Sequence, residues 1–357
     1  MGSDSLLRRA MRGDPGWLLT GARLALRMAA TCYGIGVRLR NRRYDRSPAA
    51  IELPVPVISV GNITAGGTGK TPLVIALTRR LIERGRRVGV VSRGYGAKRG
   101  ATSDEMMLTS RAVPGAVCVA DPDRVAAARR AIDTAGVDCV VADDAFQHRR
   151  LARDLDIVVI DATRPFGFGH LLPRGLLREP LSGLARADVI VISRTNLVDP
   201  AALALIDEQL DRWAPNRPRL RSCHAPRGFF RLDGSPADID PGRVRRAFVT
   251  AAIGNPDSFA RTLDGLGVSI SATHWWPDHH VYGAPDVQFL ADQCRSHSAD
   301  CLLVTEKDAV KLAPLVAGQL PCPIYALHVE IDFVGDDGRM LWDRIDDLLR
   351  GADSQCP

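Results

Sequence analysis

Lysine is nearly missing from this chain: of 47 basic side chains, only Lys70, Lys98, Lys307 and Lys311 are lysines. Arginine is the default cation here, so the ammonium of Lys70, at the end of a glycine-rich turn, reads as specifically required. The eight cysteines include no C-x-x-C pair, which excludes the usual cysteine zinc and dithiol motifs. Several sit in apolar runs (Val117–Val119, Cys139–Val141) as small buried hydrophobes, and this usage points to a reducing cytosol. Aromatic residues make up 5% of the chain, too few to signal a stacking platform for nucleic acid. No tract is of low complexity and no period of 20–50 residues repeats. Long apolar runs are missing too: the longest charge-free stretch near the N-terminus, Met28–Val37, has ten residues, against about 20 needed to cross a bilayer. No convincing small-residue cleavage site follows it, which argues against a signal peptide.

What is present is an ordinary globular composition, 46% hydrophobic and 25% charged over 357 residues, enough for two domains. A net charge of +6 suits anionic partners such as nucleotides, phosphorylated substrates or phospholipid surfaces, and selects none of them. Residues 17–37 form an apolar segment interrupted by Arg23 and Arg27. As a helix it sets those arginines on one face and Trp17, Leu24 and Met28 largely on another. Such a helix either lies in a membrane interface or packs on the protein's own core.

From Leu53 the pattern is α/β. Strands are expected at 55–60, 88–92, 117–120, 138–142, 157–160 and 189–193, with helices at 72–84 and 124–135 between them. That alternation implies a parallel sheet whose functional loops lie at the strands' carboxyl ends. The rhythm stops around 215–235, in a stretch rich in Pro, Arg and Gly. It resumes with a strand at 246–252, a helix to Leu266 and a strand near 301–304. The expected architecture is a P-loop NTPase-like parallel sheet flanked by helices, a second, smaller α/β domain and an N-terminal amphipathic helix. Its parts are 1–46 as a membrane-associating helical segment, 47–225 as the P-loop core and 226–350 as the smaller domain.

The strongest chemical signal is Thr64, Ala65, Gly66, Gly67, Thr68, Gly69, Lys70 and Thr71, placed between a strand and a helix. Backbone N–H groups of such a turn converge on phosphate oxygens, and the helix N-terminus adds its dipole. Lys70 would reach the β- and γ-phosphates and the Thr71 hydroxyl would bind Mg²⁺. Thr64 departs from the glycine at the first position of the general motif. Asp143 and Asp144 end a buried strand, where P-loop proteins hold Mg²⁺; helix capping is the plainer reading. A base for phosphoryl transfer has two sources, Asp104–Glu105 in a polar loop or Asp278-His279-His280. His274, Asp278, His279 and His280 could instead bind a metal, although their spacing matches no zinc pattern.

Gly61–Pro72 resembles the P-loop of the tetraacyldisaccharide 4′-kinases, lipid A pathway enzymes of Gram-negative bacteria, a family in which Thr or Ser commonly stands at the position of Thr64. Matches continue through Ser92–Gly96, Ser103–Glu105, Asp143–His148, Gly169–Pro173, Leu177–Pro180, Gly254–Pro256, Asp278–His280 and Thr305–Lys311. The resemblance implies transfer of the γ-phosphate of ATP, with Mg²⁺, to the 4′-hydroxyl of a tetraacylated glucosamine disaccharide 1-phosphate. It implies a peripheral or monotopic enzyme at the cytoplasmic face of the inner membrane, with no nucleic acid and no obligate protein partner. It assigns Asp104 as the catalytic aspartate and His279 as its histidine, Lys70 to catalysis, and Glu105, Asp143 and Asp144 to the metal. Arg93, Arg124, His148 and Arg178 fall near phosphates or substrate. The membrane reading of the N-terminal helix gains from an acylated substrate. Ser103 and Ala145 stand where the family has glycine, which matters if either backbone needs φ > 0. A GTP-dependent switch is the rival, since Asn196-Leu-Val-Asp199 resembles a guanine-reading motif with Leu197 in the lysine position. A kinase of another lipid or sugar would keep the chemistry and change the acceptor.

Overall fold

The computed structural model describes residues 9, 11, 14, 16–46, 50–94, 103–316, 318 and 320–354. They divide into two compact units. The larger comprises Ser3–Arg93, Gly115–Cys223 and Asp332–Pro357; the smaller comprises Gly94–Pro114 and His224–Ile331.

In the larger unit, helix α1 (Trp17–Arg46) is followed by β1 (Val57–Gly61), α2 (Lys70–Glu83) and β2 (Val88–Ser92). After the excursion into the smaller unit come β3 (Val117–Ala120), α4 (Arg124–Ala135), β4 (Cys139–Asp143), β5 (Leu155–Asp161), β6 (Val189–Ser193) and α5 (Pro200–Trp213). The first residues of β7 (Arg219–Phe230) complete a sheet in the order β3-β2-β4-β1-β5-β6-β7, parallel at every pair. Fully buried runs such as Val-Ile-Ser-Val-Gly in β1 and Val-Ile-Val-Ile-Ser in β6 are what a sheet covered on both faces requires. Helix α2 places Leu73, Leu77 and Leu81 one turn apart and buries all three, each contributing about 1.5–3 kcal/mol. Pro72 falls in its first turn, where a missing N–H breaks no helical bond.

The smaller unit holds α3 (Asp104–Ala112), the rest of β7, β8 (Pro236–Ala237), β9 (Ala247–Ala251), α6 (Pro256–Gly265), β10 (Ile270–Trp275), α7 (Ala284–Ser296), β11 (Cys301–Thr305), α8 (Glu306–Leu312) and β12 (Ile324–Phe333). Strands β10, β9, β11 and β12 pair in parallel in that order. Their core forms around Phe248, Val287, Leu290, Leu302 and Val304 on one side, and Val249, Phe259, Leu263 and Leu303 on the other. Helix α9 (Asp337–Asp353) belongs to the larger unit.

Three sequence expectations change. Asp104–Glu105 is the first turn of a helix rather than a polar loop, and α3 belongs with residues 224–331 although the 109 residues of Gly115–Cys223 intervene. Residues 332–354 leave the expected 226–350 domain, because α9 is held by Arg84–Asp346 and Arg86–Asp353 pairs and by Arg80 over the Trp342 ring. The stretch 215–235, where the rhythm stops in sequence, carries strand β7.

Helix α1 is longer than its sequence signal. Leu19, Ala30 and Val37 are buried, whereas Leu24, Met28, Ile35 and Leu39 are exposed. Spacings of 4, 7 and 4 put those four on one stripe. Among the described residues no helix is long and apolar enough to cross a membrane.

Candidate functional site

The larger unit builds its site where β1 ends. Gly61 cannot carry a side chain, because a Cβ there would lie 2.5 Å from that of Phe146. Gly66 and Gly69 adopt φ 102° and 84°, which L side chains avoid, and Gly69 opens directly into α2. The flank of the loop is pinned to segment 171–178: Ala65 N donates to the Leu176 carbonyl at 2.7 Å and Arg178 N to the Ile63 carbonyl at 2.8 Å. Beneath the turn, Asn62 Nδ2 donates to Thr68 Oγ1 at 3.0 Å, Ser193 Oγ to the Thr68 carbonyl at 2.9 Å and Arg194 to the Gly67 carbonyl at 3.1 Å. Arg194 is itself paired with Asp161. Asn62, Ser193 and Arg194 were not found from sequence; their buried positions beside strand ends were the available signal.

Asp143 closes β4 in register with Val60 of β1, so strand pairing alone brings it beside the start of the loop. Asp144 follows at φ 51°. Its carboxylate binds Arg178 at 2.7 Å and Lys70 at 3.2 Å. Burial would raise its pKa, but the charges of Lys70 and Arg178 hold it well below the ordinary carboxylate range. Asp144 thus pairs with two cations. Thr71 and Asp143 offer hard oxygen donors, the kind Mg²⁺ takes together with nucleotide phosphates. Among the described residues no group of three or more His, Cys, Asp or Glu could hold a metal by itself. Buried Arg124 donates to the Asp144 carbonyl at 3.1 Å, and Arg93 is exposed at the end of β2. Burial and the charge of Arg124 lower the pKa of His148, whose Nε2 is buried without a hydrogen-bond partner among the described residues. Ala145 does not need positive φ, since Asp144 takes that conformation. Tyr95 and Gly96 of the Ser92–Gly96 motif lie outside the described residues.

The smaller unit assembles a second cluster. Asp104 and Glu105 stand in the first turn of α3, where the helix dipole favours negative charge; Ser103 before them has φ −73°, so it strains nothing. Helix α8, capped by Thr305, brings Lys307 against Glu105 at 2.5 Å and Lys311 against Asp104 at 3.2 Å. His279 Nδ1 lies 3.5 Å from Asp104, and its Nε2 lies 3.6 Å from Glu105. The expectation that His279 reaches Asp104 from a different domain gives way: both belong to one unit. His279, held at φ 61°, is the histidine at Asp104. His280 instead meets Asp286 at 3.1 Å and stacks on Trp276, so the four-residue metal alternative is not assembled.

Burial works to raise the pKa of Asp104, but the close approach of His279 and the charges of Lys311 and Lys307 outweigh it and lower that pKa. Burial opposes the charge on Lys307 too, yet Glu105 and Asp278 raise its pKa. Lys311 is fixed from behind: it donates to the His280 carbonyl at 3.1 Å and lies 3.6 Å from the fully buried Asp308. Asp308 in turn accepts from Tyr282 Oη at 3.1 Å, Thr305 Oγ1 at 2.6 Å and Ala252 N at 3.1 Å. Glu105 pairs with Lys307. Lys307 and Lys311 were not singled out as site residues from sequence, although lysine scarcity, already used for Lys70, pointed at them. Asp199 of the guanine-like motif caps α5, accepting from Ala202 N at 2.7 Å, which accounts for it without a base to read.

A phosphate-gripping turn at the end of a central parallel strand, with acidic residues ending the neighbouring strand, defines a P-loop nucleotide-binding phosphotransferase. The family model for tetraacyldisaccharide-1-P 4′-kinase matches residues 22–350. Tetraacyldisaccharide 4′-kinase of Anaeromyxobacter dehalogenans is 38% identical over 96% of this chain and 91% of its own length; that of Syntrophus aciditrophicus is 39% identical over 86% and 89%. A crystal structure of the Aquifex aeolicus family member LpxK in complex with ATP superposes with a TM-score of 0.69 at 26% identity, covering 93% of this chain and 99% of that one. The chain belongs to the tetraacyldisaccharide 4′-kinase family, and its activity is that kinase step of lipid A biosynthesis.

Proposed function

We propose that the larger unit grips ATP through Thr64–Thr71 while the smaller unit supplies the base that activates the 4′-hydroxyl of a tetraacylated glucosamine disaccharide 1-phosphate. Lys70 neutralises charge developing on the transferred phosphoryl group, which is where catalysis of this reaction chiefly lies. Thr71 and Asp143 would hold Mg²⁺, which when bound offsets charge on the β- and γ-phosphates. Asp144 keeps Lys70 and Arg178 aimed, and Glu105 keeps Lys307 in place. Arg93, Arg124, Arg178 and the neutral His148 face phosphate or sugar oxygens. The 4′-hydroxyl passes its proton to Asp104; its oxygen then forms the new bond to the γ-phosphorus as the bond to the β-phosphate oxygen breaks and ADP leaves.

The observation that carries the base assignment is the state of Asp104: an ionised carboxylate fixed by His279 and Lys311 and engaged by no structural backbone bond among the described residues. Asp104→Asn is expected to lower kcat by about 10²–10⁴-fold while the KM for ATP stays near wild type. Loss of ATP affinity in step with kcat would remove Asp104 from this role. The exposed stripe Leu24, Met28, Ile35 and Leu39 supports peripheral attachment at the cytoplasmic face of the inner membrane, where an acylated acceptor resides.

A further inference from the structure

Arg174 lies at the tip of the loop that flanks the P-loop, and it is buried to 6% exposure. One arm of its guanidinium donates to the Met11 carbonyl at 2.8 Å. Its Nε is buried with no hydrogen-bond partner among the described residues. Among the described residues, the charges that act on it are of the same sign. Arg27 and Arg23 of α1 act on Arg174, and together with burial they lower its pKa. Burial, Arg174 and Arg27 likewise lower the pKa of His170 at the start of the loop. Among the described residues, neither Arg174 nor Arg27 has an acidic partner within salt-bridge distance. Elsewhere in the larger unit buried Arg194 pairs with Asp161, and half-buried Arg153 and Arg186 pair with Asp156 and Glu179; buried Arg124 meets only the Pro122 and Asp144 carbonyls, but the carboxylates of Asp144 and Asp143 stand near it. A buried cation gathered with other cations and given no carboxylate is unfavourable unless something anionic completes it.

We propose that Arg174, Arg27 and His170 form a binding site for the phosphate of a membrane glycolipid or phospholipid, with Arg174 as its buried anchor. This rests on the kinase reading, because the acceptor carries a phosphate at the end of the disaccharide away from the 4′-hydroxyl. The placement suits it. Arg174 stands four residues before Arg178, whose side chain meets Asp144 beside Lys70, so about 14 Å of chain at most separates them, a span on the scale of a disaccharide. The loop is held in shape by Leu172 N donating to the Leu177 carbonyl at 2.9 Å and Leu177 N to the His170 carbonyl at 3.0 Å. The cations also border α1, whose exposed apolar stripe would meet acyl chains. An acylated phosphosugar therefore meets charge and apolar surface along one segment of the larger unit.

The test compares Arg174→Gln, Arg174→Lys and the exposed Arg27→Gln with wild type in neutral detergent micelles at saturating ATP. Two acceptors are used, the disaccharide 1-phosphate and its counterpart lacking that phosphate. Arg174→Gln should raise the KM for the phosphorylated acceptor about tenfold, the worth of one lost charge-assisted hydrogen bond. The KM for the acceptor lacking phosphate and the KM for ATP should stay within about twofold, since one lost contact to the missing group affects neither. Arg27→Gln should show the same selectivity more weakly, and it carries the comparison if Arg174→Gln fails to fold. A parallel arm measures co-sedimentation with phosphatidylcholine vesicles with and without phosphatidylglycerol. If the KM values are unchanged but Arg174→Gln loses the preference for phosphatidylglycerol, the site stands and its phosphate is a phospholipid's. Equal losses with both acceptors, or no change in either arm, overturn the proposal. If wild type phosphorylates neither acceptor, the kinase reading fails instead, and the vesicle arm still reads the site.

Discussion

Lys311 shows how much depends on a single ammonium. It touches Asp104 directly, and Asp308, Tyr282 and the His280 carbonyl leave it little freedom. The folded pKa of Asp104 is depressed, so ion pairing there adds stability above the unfolded value of about 3.9; that contribution is lost as pH falls through the folded value. Replacing Lys311 by Met removes one of the charges that depress it. The acid limb of the kcat/KM–pH profile should then move to higher pH than in wild type, with the alkaline limb unmoved. A limb that stays in place would mean that another group governs the acid side. This contact was within reach of the sequence, because Thr305–Lys311 is a recognisable motif. What the residues alone did not give is partnership: nothing local says that Lys311 answers to Asp104, 207 positions earlier.

Among the elements, those that alternate in an orderly way were legible and those that do not were missed. Strands β2, β3 and β6 and helix α4 occupy the residues their patterns indicate, because β2 and β6 are buried, continuous apolar runs, β3 is a half-buried apolar edge strand, and α4 opens on an Asp123 cap and ends at Gly136. Helix α3 is invisible by periodicity, since it buries only Met106 and Thr109. Strand β7 contains Pro226 and Gly228, which depress any strand signal, and it is only intermittently buried. Helix α5 is not among the expected elements, although Asp199 before it is a cap and Pro200 opens it. If Asp199 is a cap and nothing more, Asp199→Ala should lower stability by about 1 kcal/mol in a urea titration and leave ATP and GTP affinities unchanged. A selective loss of GTP binding would restore the rival reading.

For the whole molecule, the interleaving of the two units was the part beyond reach. A contiguous division at 225 is the simplest reading of a sequence, yet 94–114 joins the smaller unit and 332–357 the larger. The forces responsible are tertiary: Glu105–Lys307 and Asp104–Lys311 ion pairs for the first, the arginine–aspartate pairs on α9 for the second. Helix α1 was read from sequence as either core-packed or membrane-facing, and the structure gives it two apolar faces, one buried and one exposed. Changing Leu24 and Ile35 together to Glu should sharply lower co-sedimentation with phospholipid vesicles. Thermal stability should hold within about 0.5 kcal/mol for such surface positions. A drop in stability with undiminished vesicle binding would put the stripe inside the protein's own packing.

The scarcity of lysine has a consequence for chemical biology. Three of the chain's four primary side-chain amines stand in the two charge clusters, Lys70 with Asp144 and Lys307 and Lys311 with the α3 carboxylates. An acylating probe that distinguishes amines from guanidinium groups would therefore report almost entirely on the machinery of transfer. Competition by nucleotide at one position and by acceptor at the other two would map occupancy of each unit separately, and the same sparsity favours covalent inhibitors directed at those amines.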